Sequence, residues 1–235
     1  MSLPVGPLVS GTSPRPSRVE LHGRYISLVP LKPSHATASF KHLGGEENAD
    51  GWTYMFSGPW LELKGWQEVI DKWSASTDPH YFAILSGPES GSAPEPVGLM
   101  TYMSIFPEHR RIEIGSIILG DVLKQTRGAT EAFYLILKHA FEDLNYRRVE
   151  WKANNLNKPS LSAAARLGFV FEGVFRKHFI VKGRSRDTAW LSITDDEWPL
   201  IKQAFEAWLS EDNFDEQGKQ RKRLQDIRES LQSSS

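Results

Sequence analysis

The feature that most constrains this chain is a junction between two regular elements. Ile112 to Leu119 is rich in β-branched residues and reads as a strand. Phe133, Ile136, Leu137, Ala140, Phe141 and Leu144 then recur at helical spacing. Between them runs Lys124-Gln125-Thr126-Arg127-Gly128-Ala129-Thr130-Glu131-Ala132. A strand that turns through a short polar loop into a helix leaves backbone N–H groups without intrahelical partners at the helix start. Together with the helix dipole these groups attract anions such as phosphates. Arg127 and Lys124 add positive charge at the same place. An ordinary connecting turn with a polar start is the other reading of this stretch.

A second stretch strengthens the first. Asn157-Lys158-Pro159-Ser160 precedes Leu161, Ala164, Ala165 and Leu167, and Gly168-Phe169 follows. This is a compact helix, with Asn157 as N-cap, Pro159 in the first turn and Gly168 at the stop.

The remaining elements follow from periodicity. Tyr25 to Leu31 reads as a strand, and Pro33-Ser34 opens a helix that runs to Leu43. The stretch 44–59 is loop-like, Leu63 to Ser74 is helical and Tyr81 to Leu85 is a strand. Residues 86–96 read as an exposed hairpin loop. Val97 to Ile105 and Arg111 to Leu119 form a hairpin across Pro107-Glu108-His109. Val149, Trp151 and Ala153 alternate with Glu150 and Lys152 as a half-buried strand. Phe169 to Val181 and Thr188 to Ile193 are strands joined near Lys182-Gly183. Asp196 caps a last helix through Leu209, with Trp198, Ile201, Phe205 and Leu209 on one face. Residues 1–18, rich in Pro, Gly and Ser, read as a disordered leader. Residues 211–235 read as a frayed, charged tail. One domain over 19–210 remains.

Composition narrows the functional classes. Twenty-eight Lys and Arg against 29 Asp and Glu give a net charge of −1, which favours neither a nucleic-acid nor an anionic-membrane partner. With no cysteine there is no disulfide, thiolate metal site or Cys nucleophile. No apolar run reaches membrane-spanning length, and no secretory signal is legible at the N-terminus. A cytoplasmic setting and no metal are the expectations.

Taken in order, Ala129-Thr130-Glu131-Ala132, Asn157-Lys158-Pro159-Ser160, Leu167-Gly168-Phe169, Glu172-Gly173, and Gly183 with Asp187 resemble the GNAT superfamily of acyl-CoA N-acyltransferases, in its RimJ/RimL-like branch. The resemblance spans roughly residues 20–200. It implies an α/β fold: a mixed, mostly antiparallel sheet of six or seven strands flanked by helices, with splayed strands at the acyl-CoA site. It implies acetyl-CoA as co-substrate. Cofactor contacts fall on Ile117, Ile118 and Leu119 at the strand end, on Lys124, Thr126, Arg127, Gly128, Ala129 and Thr130 in the loop, and on Asn157 and Ser160, whose capping role is compatible. The acceptor is a small-molecule or peptide amine, and the chain a monomer or homodimer. Two departures stand out. The family's loop glycine has moved one place, so that Arg127 occupies its position and Gly128 follows. The late-helix Tyr that acts as general acid in many members is Ala164 here.

Acyl transfer to an amine needs an anchored donor, a deprotonated amine and polar groups where charge develops. Glu113, eleven positions before Lys124, is the leading base, since the resemblance places an acidic residue on that strand. The alternative is a sheet Glu paired with a neighbour such as Arg111. His109, Glu108, His35 and Tyr102 have no distinguishing spacing. Trp52, Tyr54, Met55, Phe56 and Trp60 are either an acceptor wall or loop-anchoring core, with Trp52, Tyr54 and Phe56 the candidate substrate contacts. Trp66 and Trp73 read as a core-facing helical stripe. Lys182-Gly183-Arg184-Ser185-Arg186 reads as a solvated turn, or as a contact for the cofactor's 3′-phosphate. The sequence thus predicts an acetyl-CoA-dependent N-acetyltransferase working by direct attack. Its rival is a catalytically silent acyl-CoA-binding module.

Overall fold

In the computed structural model, residues 3, 5–87 and 93–233 are described. One eight-stranded sheet organises them, in the order β1-β2-β3-β4-β5-β6-β8-β7. The strands are β1 (Leu21–His22), β2 (Ile26–Pro30), β3 (His80–Ser86), β4 (Pro96–Phe106), β5 (Arg111–Leu119), β6 (Arg148–Asn154), β7 (Val170–Val181) and β8 (Arg184–Thr194). Every neighbouring pair is antiparallel except β5 with β6. The two-residue β1 takes the count past the six or seven expected. Most of the exposed-loop segment expected over 86–96, residues 88–92, lies outside the described residues.

Six helices flank the sheet: α1 (Ala36–Leu43), α2 (Leu63–Ala75), α3 (Arg127–Lys138), α4 (Lys158–Leu167), α5 (Trp198–Leu209) and α6 (Leu224–Gln232). Strand alternation divides the core in two. Ile112 and Ile114 of β5, with Val149, Trp151 and Ala153 of β6, face α3, α4 and α5. Val29, Leu31, Tyr81, Ala83 and Leu99 face α1 and α2 on the other side.

Local signals set the ends of the functional helices. Thr126 Oγ1 accepts the Ala129 N–H at 3.1 Å and caps α3. Asn157 Oδ1 accepts the Ser160 N–H at 3.2 Å and caps α4, and Gly168 ends it at φ +107°. The β7–β8 turn places Lys182 and Gly183 at φ +49° and +72°, the positive pair a tight two-residue hairpin needs.

Three expectations change. Asp196 does not cap α5; the N-cap is Glu197, whose Oε2 accepts the Thr194 N–H at 2.8 Å. The leader is not free throughout, because Ser13 is buried and its hydroxyl donates to Asn145 O at 2.8 Å, while Tyr146 Oη donates to Pro14 O at 3.1 Å. The tail is not frayed. Leu224 is buried, and Arg228 of α6 donates to the carbonyls of Arg166 and Ala165 at 3.0 and 3.3 Å, satisfying the open end of α4. A thin apolar stripe suffices for α6 because it needs to cover only α4 and α5.

Glu131 fixes how α3 meets the sheet. Its buried carboxylate accepts the backbone N–H groups of Arg24, Tyr25 and Ile26 at 2.8, 2.7 and 3.0 Å. Replacing it strands the buried Ile26 N–H, while the Arg24 and Tyr25 donors, only partly buried, can turn to water. A buried unsatisfied donor costs about 1–3 kcal/mol, so Glu131→Ala is expected to lower unfolding free energy by about that much, measured by urea titration. Glu131→Gln, which keeps one carbonyl acceptor, should lose less. A loss under about 1 kcal/mol for Glu131→Ala would mean that the turn finds its partners elsewhere.

Candidate active site

The site begins where a pairing stops. Strands β5 and β6 pair only at Arg111 with Arg148, Ile112 with Val149, and Glu113 with Glu150. Beyond Glu113, β5 stays with β4 while Trp151 to Asn154 of β6 stay with β8. A bulge in the β4–β5 register, with Ser116 at φ +46°, accompanies the divergence. The edge of β5 that faces β6 is thereby left unpaired from Ile114 to Leu119. Such an edge offers backbone N–H and C=O groups to an extended amide-containing ligand.

On the α3 side, a cleft of about 750 Å³ lies at the far end of this unpaired length, where Leu119 closes β5. Leu119, Gln125, Thr126, Arg127, Ala129, Thr130 and Phe133 line one wall, and Ala163, Arg166 and Leu167 of α4 line another. Trp208, Phe214, Gly218, Lys219 and Gln220 complete it. Three cations and no carboxylate line this cleft, in a chain whose charges otherwise nearly balance. Arg127 is held by Tyr25 Oη at 3.2 Å and lies 3.5 Å over the ring of Phe214. Arg166 donates to Thr130 Oγ1 at 3.2 Å, and burial pulls its guanidinium below the ordinary pKa. Helix-terminal amides, uncompensated cations and an open strand edge together suit a long phosphorylated ligand with an amide arm, as CoA is.

The candidate cofactor residues divide. Leu119, Thr126, Arg127, Ala129 and Thr130 line the cleft. Lys124 instead turns outward to Asp121 at 2.7 Å. Gly128 is buried, and a Cβ there would meet Ile26 Cγ2 at 2.8 Å, so its glycine serves close packing of α3 on β2. The Ile118 side chain belongs to the core on the opposite face, and Ile117 packs against the α3-side core. Both remain on the splayed length of β5. Asn157 and Ser160 hold the start of α4, where Ser160 Oγ also accepts Trp151 Nε1 at 3.1 Å. Ala164 is fully buried, so the position of the missing Tyr contributes no acid.

Glu113 lies on the opposite face, at the last paired residue before the splay. It is 5% exposed, and its Oε2 accepts Lys152 Nζ at 2.7 Å and Ser104 Oγ at 2.9 Å. Arg111 pairs with Glu150 rather than with Glu113, at 3.2 Å. Oε1 is turned the other way: a Cβ on Gly115, two residues into the splay, would lie 3.4 Å from it. Nearby, Arg186 is buried, and burial lowers its pKa against the opposing charge of Glu113. Lys152 Nζ sits 4.1 Å over the ring of Trp190.

The aromatic loop splits likewise. Trp52 is core: it is buried, donates to Leu43 O at 2.8 Å, and meets Trp60, Trp66 and Trp73 at 4.9, 5.8 and 6.4 Å. Phe56 is exposed and reaches the Glu113 face, 5.3 Å from Phe179 and 4.6 Å from Arg186. Tyr54 is half-exposed between them. Of the basic run, Lys182 donates to Trp52 O at 2.7 Å, and Arg186 is buried rather than solvated. Neither lines the cleft.

Sequence reasoning missed Lys152, Arg166, Lys219, Trp208 and Phe214, and gave Arg186 to a solvated turn or a 3′-phosphate contact rather than to the Glu113 face. Lys152 had a signal, since strand alternation puts it on the same face as Glu150. Lys219 and Phe214 had none within a segment read as tail.

Comparison with known proteins agrees with this geometry. The profile of the Acetyltransferase (GNAT) domain matches residues 26–170. A GCN5-related N-acetyltransferase from Brucella melitensis superposes with a TM-score of 0.89 at 42% identity, covering 93% of this chain and 97% of that one. The chain belongs to the GNAT acetyltransferase family. It is 32% identical over 72 residues to YokL, an uncharacterized prophage-derived N-acetyltransferase of Bacillus subtilis (strain 168), covering 31% of this chain and 41% of the length of YokL. RimJ of Mycobacterium smegmatis, solved in complex with CoA-disulfide, shares the fold at TM-score 0.62 and 24% identity, covering 77% of this chain and 88% of that one. No helix among the described residues is long and apolar enough to cross a membrane, and no group of metal-ligating side chains is found among them.

Asn157 separates capping from cofactor contact. Asn157→Ala should cost about 1 kcal/mol of stability through the lost cap, read as a fall in Tm. It should also weaken CoA binding in calorimetry. A Tm shift with unchanged CoA affinity leaves the residue only its capping role.

Proposed function

We propose that this chain is an acetyl-CoA-dependent N-acetyltransferase that acetylates a primary amine, of a protein N-terminus or a small molecule, by direct attack within a ternary complex. The observation that carries the reading is the acid-free, cation-lined cleft at the end of the unpaired length of β5. Acetyl-CoA supplies an acetyl group activated as a thioester. Everything else falls to the chain. The first-turn amides of α3, with Arg127, hold phosphate charge. The unpaired edge of β5 lines up the amide arm by backbone hydrogen bonds and leads it to the splay. Holding donor and amine in one fixed geometry supplies much of the rate.

Glu113 then acts on the amine. Lys152 and Ser104 fix the carboxylate through Oε2 and leave Oε1 on the splay side. Oε1 takes the proton from the incoming ammonium, directly or through a water, so that the free amine can attack the thioester carbonyl; the C–S bond then breaks, and the departing thiolate takes up the second proton, which the new amide nitrogen sheds. Phe56, against Arg186 and Phe179, flanks the approach on that face, and Tyr54 is proposed as a further acceptor contact from the same loop. With no cysteine in the chain, a thioester-linked enzyme is excluded. A CoA thioester is an intracellular metabolite, which goes with a cytoplasmic setting.

Two experiments test this. Incubation with acetyl-CoA and a panel of amines and peptides should release free CoA with at least one acceptor. CoA retention without turnover on any acceptor favours the silent module, to which buried Ala164 points. Glu113→Gln should lower kcat by roughly 10²–10⁴-fold near neutral pH and flatten the acidic limb of the rate profile. CoA affinity should hold, since the carboxylate and the cleft lie on opposite faces, and its retention also shows that the variant folds. Full activity across the acidic limb would return Glu113 to a pairing role with Lys152.

A further inference from the structure

The wall of the cleft opposite α3 is built by residues beyond the matched family domain. Trp208 lies in the last turn of α5, and Phe214, Gly218, Lys219 and Gln220 come from the loop before α6. This loop is firmly built. Buried Asn213 donates through Nδ2 to Trp208 O and Lys222 O at 3.1 and 3.2 Å, and its Oδ1 accepts the Lys222 N–H at 3.0 Å. Asp215 Oδ1 accepts the N–H groups of Gln217 and Lys219 at 3.1 and 2.8 Å. Phe214 and Gln220 form a bridge across the turn. The loop is also tied to the phosphate helix: Arg127, the first residue of α3, stacks on Phe214.

Charge is distributed unevenly in the cleft. Arg127 stands beside the free amides of α3, and these together account for one phosphate group. Arg166 and Lys219 stand on other elements, α4 and the loop, and neither forms an ion pair among the described residues. Arg166 is fixed between Thr130 Oγ1 and the ring of Trp208, 5.0 Å from its guanidinium. Arg127 itself reaches this loop, 3.7 Å from where a Cβ on Gly218 would lie, and the loop's acids, Asp215 and Glu216, do not line the cleft. Two cations beyond Arg127 with no carboxylate among the lining suit a second anionic group on the same ligand. A CoA thioester has one, the phosphate on the ribose 3′ oxygen.

We infer that Arg166 and Lys219 form a separate phosphate subsite that reads the ribose 3′-phosphate of the cofactor, with the loop 214–220 as its wall. The subsite rests on the cofactor reading above. It makes the chain selective for CoA over analogues that keep the pyrophosphate and pantetheine but lack the third phosphate. It also gives the C-terminal extension a binding role in addition to packing.

The test is calorimetric titration of the full chain with CoA and with 3′-dephospho-CoA, at low and raised salt. The unmodified chain should bind CoA about tenfold more tightly or better, as a charge-assisted phosphate contact supports, and added salt should narrow the ratio. Lys219 is exposed, so its replacement spares the fold. Lys219→Ala should weaken CoA while leaving 3′-dephospho-CoA affinity unchanged, and Lys219→Glu should narrow the ratio further. Equal affinity of the unmodified chain for the two ligands overturns the subsite and leaves the cofactor reading intact. So does a Lys219→Ala variant that weakens both alike or neither. A chain that binds neither ligand loses the cofactor reading and the subsite together.

Discussion

Three residue pairs of parallel sheet decide the shape of this molecule. Strands β5 and β6 meet from Arg111 to Glu113 and then part. Had the pairing continued, Ile114 to Leu119 would have spent their backbone groups on β6, and no open strand edge would lead to the cleft at Leu119. The parting is held by charge at its apex. Glu113 and Glu150 are neighbours in register, and two carboxylates side by side repel. Lys152 lies 2.7 Å from one and 3.4 Å from the other, and Arg111 and Arg148 complete the neutralisation of Glu150. A buried cluster of this kind is weak evidence for stability, because desolvation opposes the Coulomb gain. It does fix geometry, and it leaves one oxygen of Glu113 on the splay side.

Each face of the sheet then takes a different task. The α3 face carries the cation-lined cleft, where helix amides and unpaired cations meet with no acid among the lining residues. The other face carries the Glu113 carboxylate and Arg186, with Phe56 against Arg186. The sheet thus separates the proposed base from the proposed phosphate site, which lie a few residues apart along one strand. Glu131 serves the same end from within the fold, since its three backbone hydrogen bonds set the depth at which α3 presents its first turn.

The loop's shifted glycine has a physical explanation. At the position where the family resemblance implies Gly, this chain has Arg127, whose guanidinium is stacked on Phe214 and held by Tyr25. The following Gly128 lies against Ile26, where no side chain fits. The glycine thus belongs to helix–strand contact, and the arginine is accommodated because the C-terminal loop supplies an aromatic face for it.

Local chemistry wrote much of this structure into the sequence. The strand, loop and helix around Thr126, the cap at Asn157, the stop at Gly168 and the turn at Lys182-Gly183 depend on residues a few positions apart, and periodicity and capping preferences act over that range. The order of motifs carried the family. Tertiary structure decided the rest, because the contacts that matter join residues far apart in the chain. Lys152, 39 positions from Glu113, became its partner in place of Arg111 only through the parallel register of β5 and β6. Trp52 became core and Phe56 surface within a single aromatic loop, according to which side α2 covered. The tail looked free because its stripe is thin, yet it folds once α4 and α5 offer it a groove. From there Lys219 reaches a cleft whose other walls lie more than fifty residues away, a distance over which neither periodicity nor capping carries information.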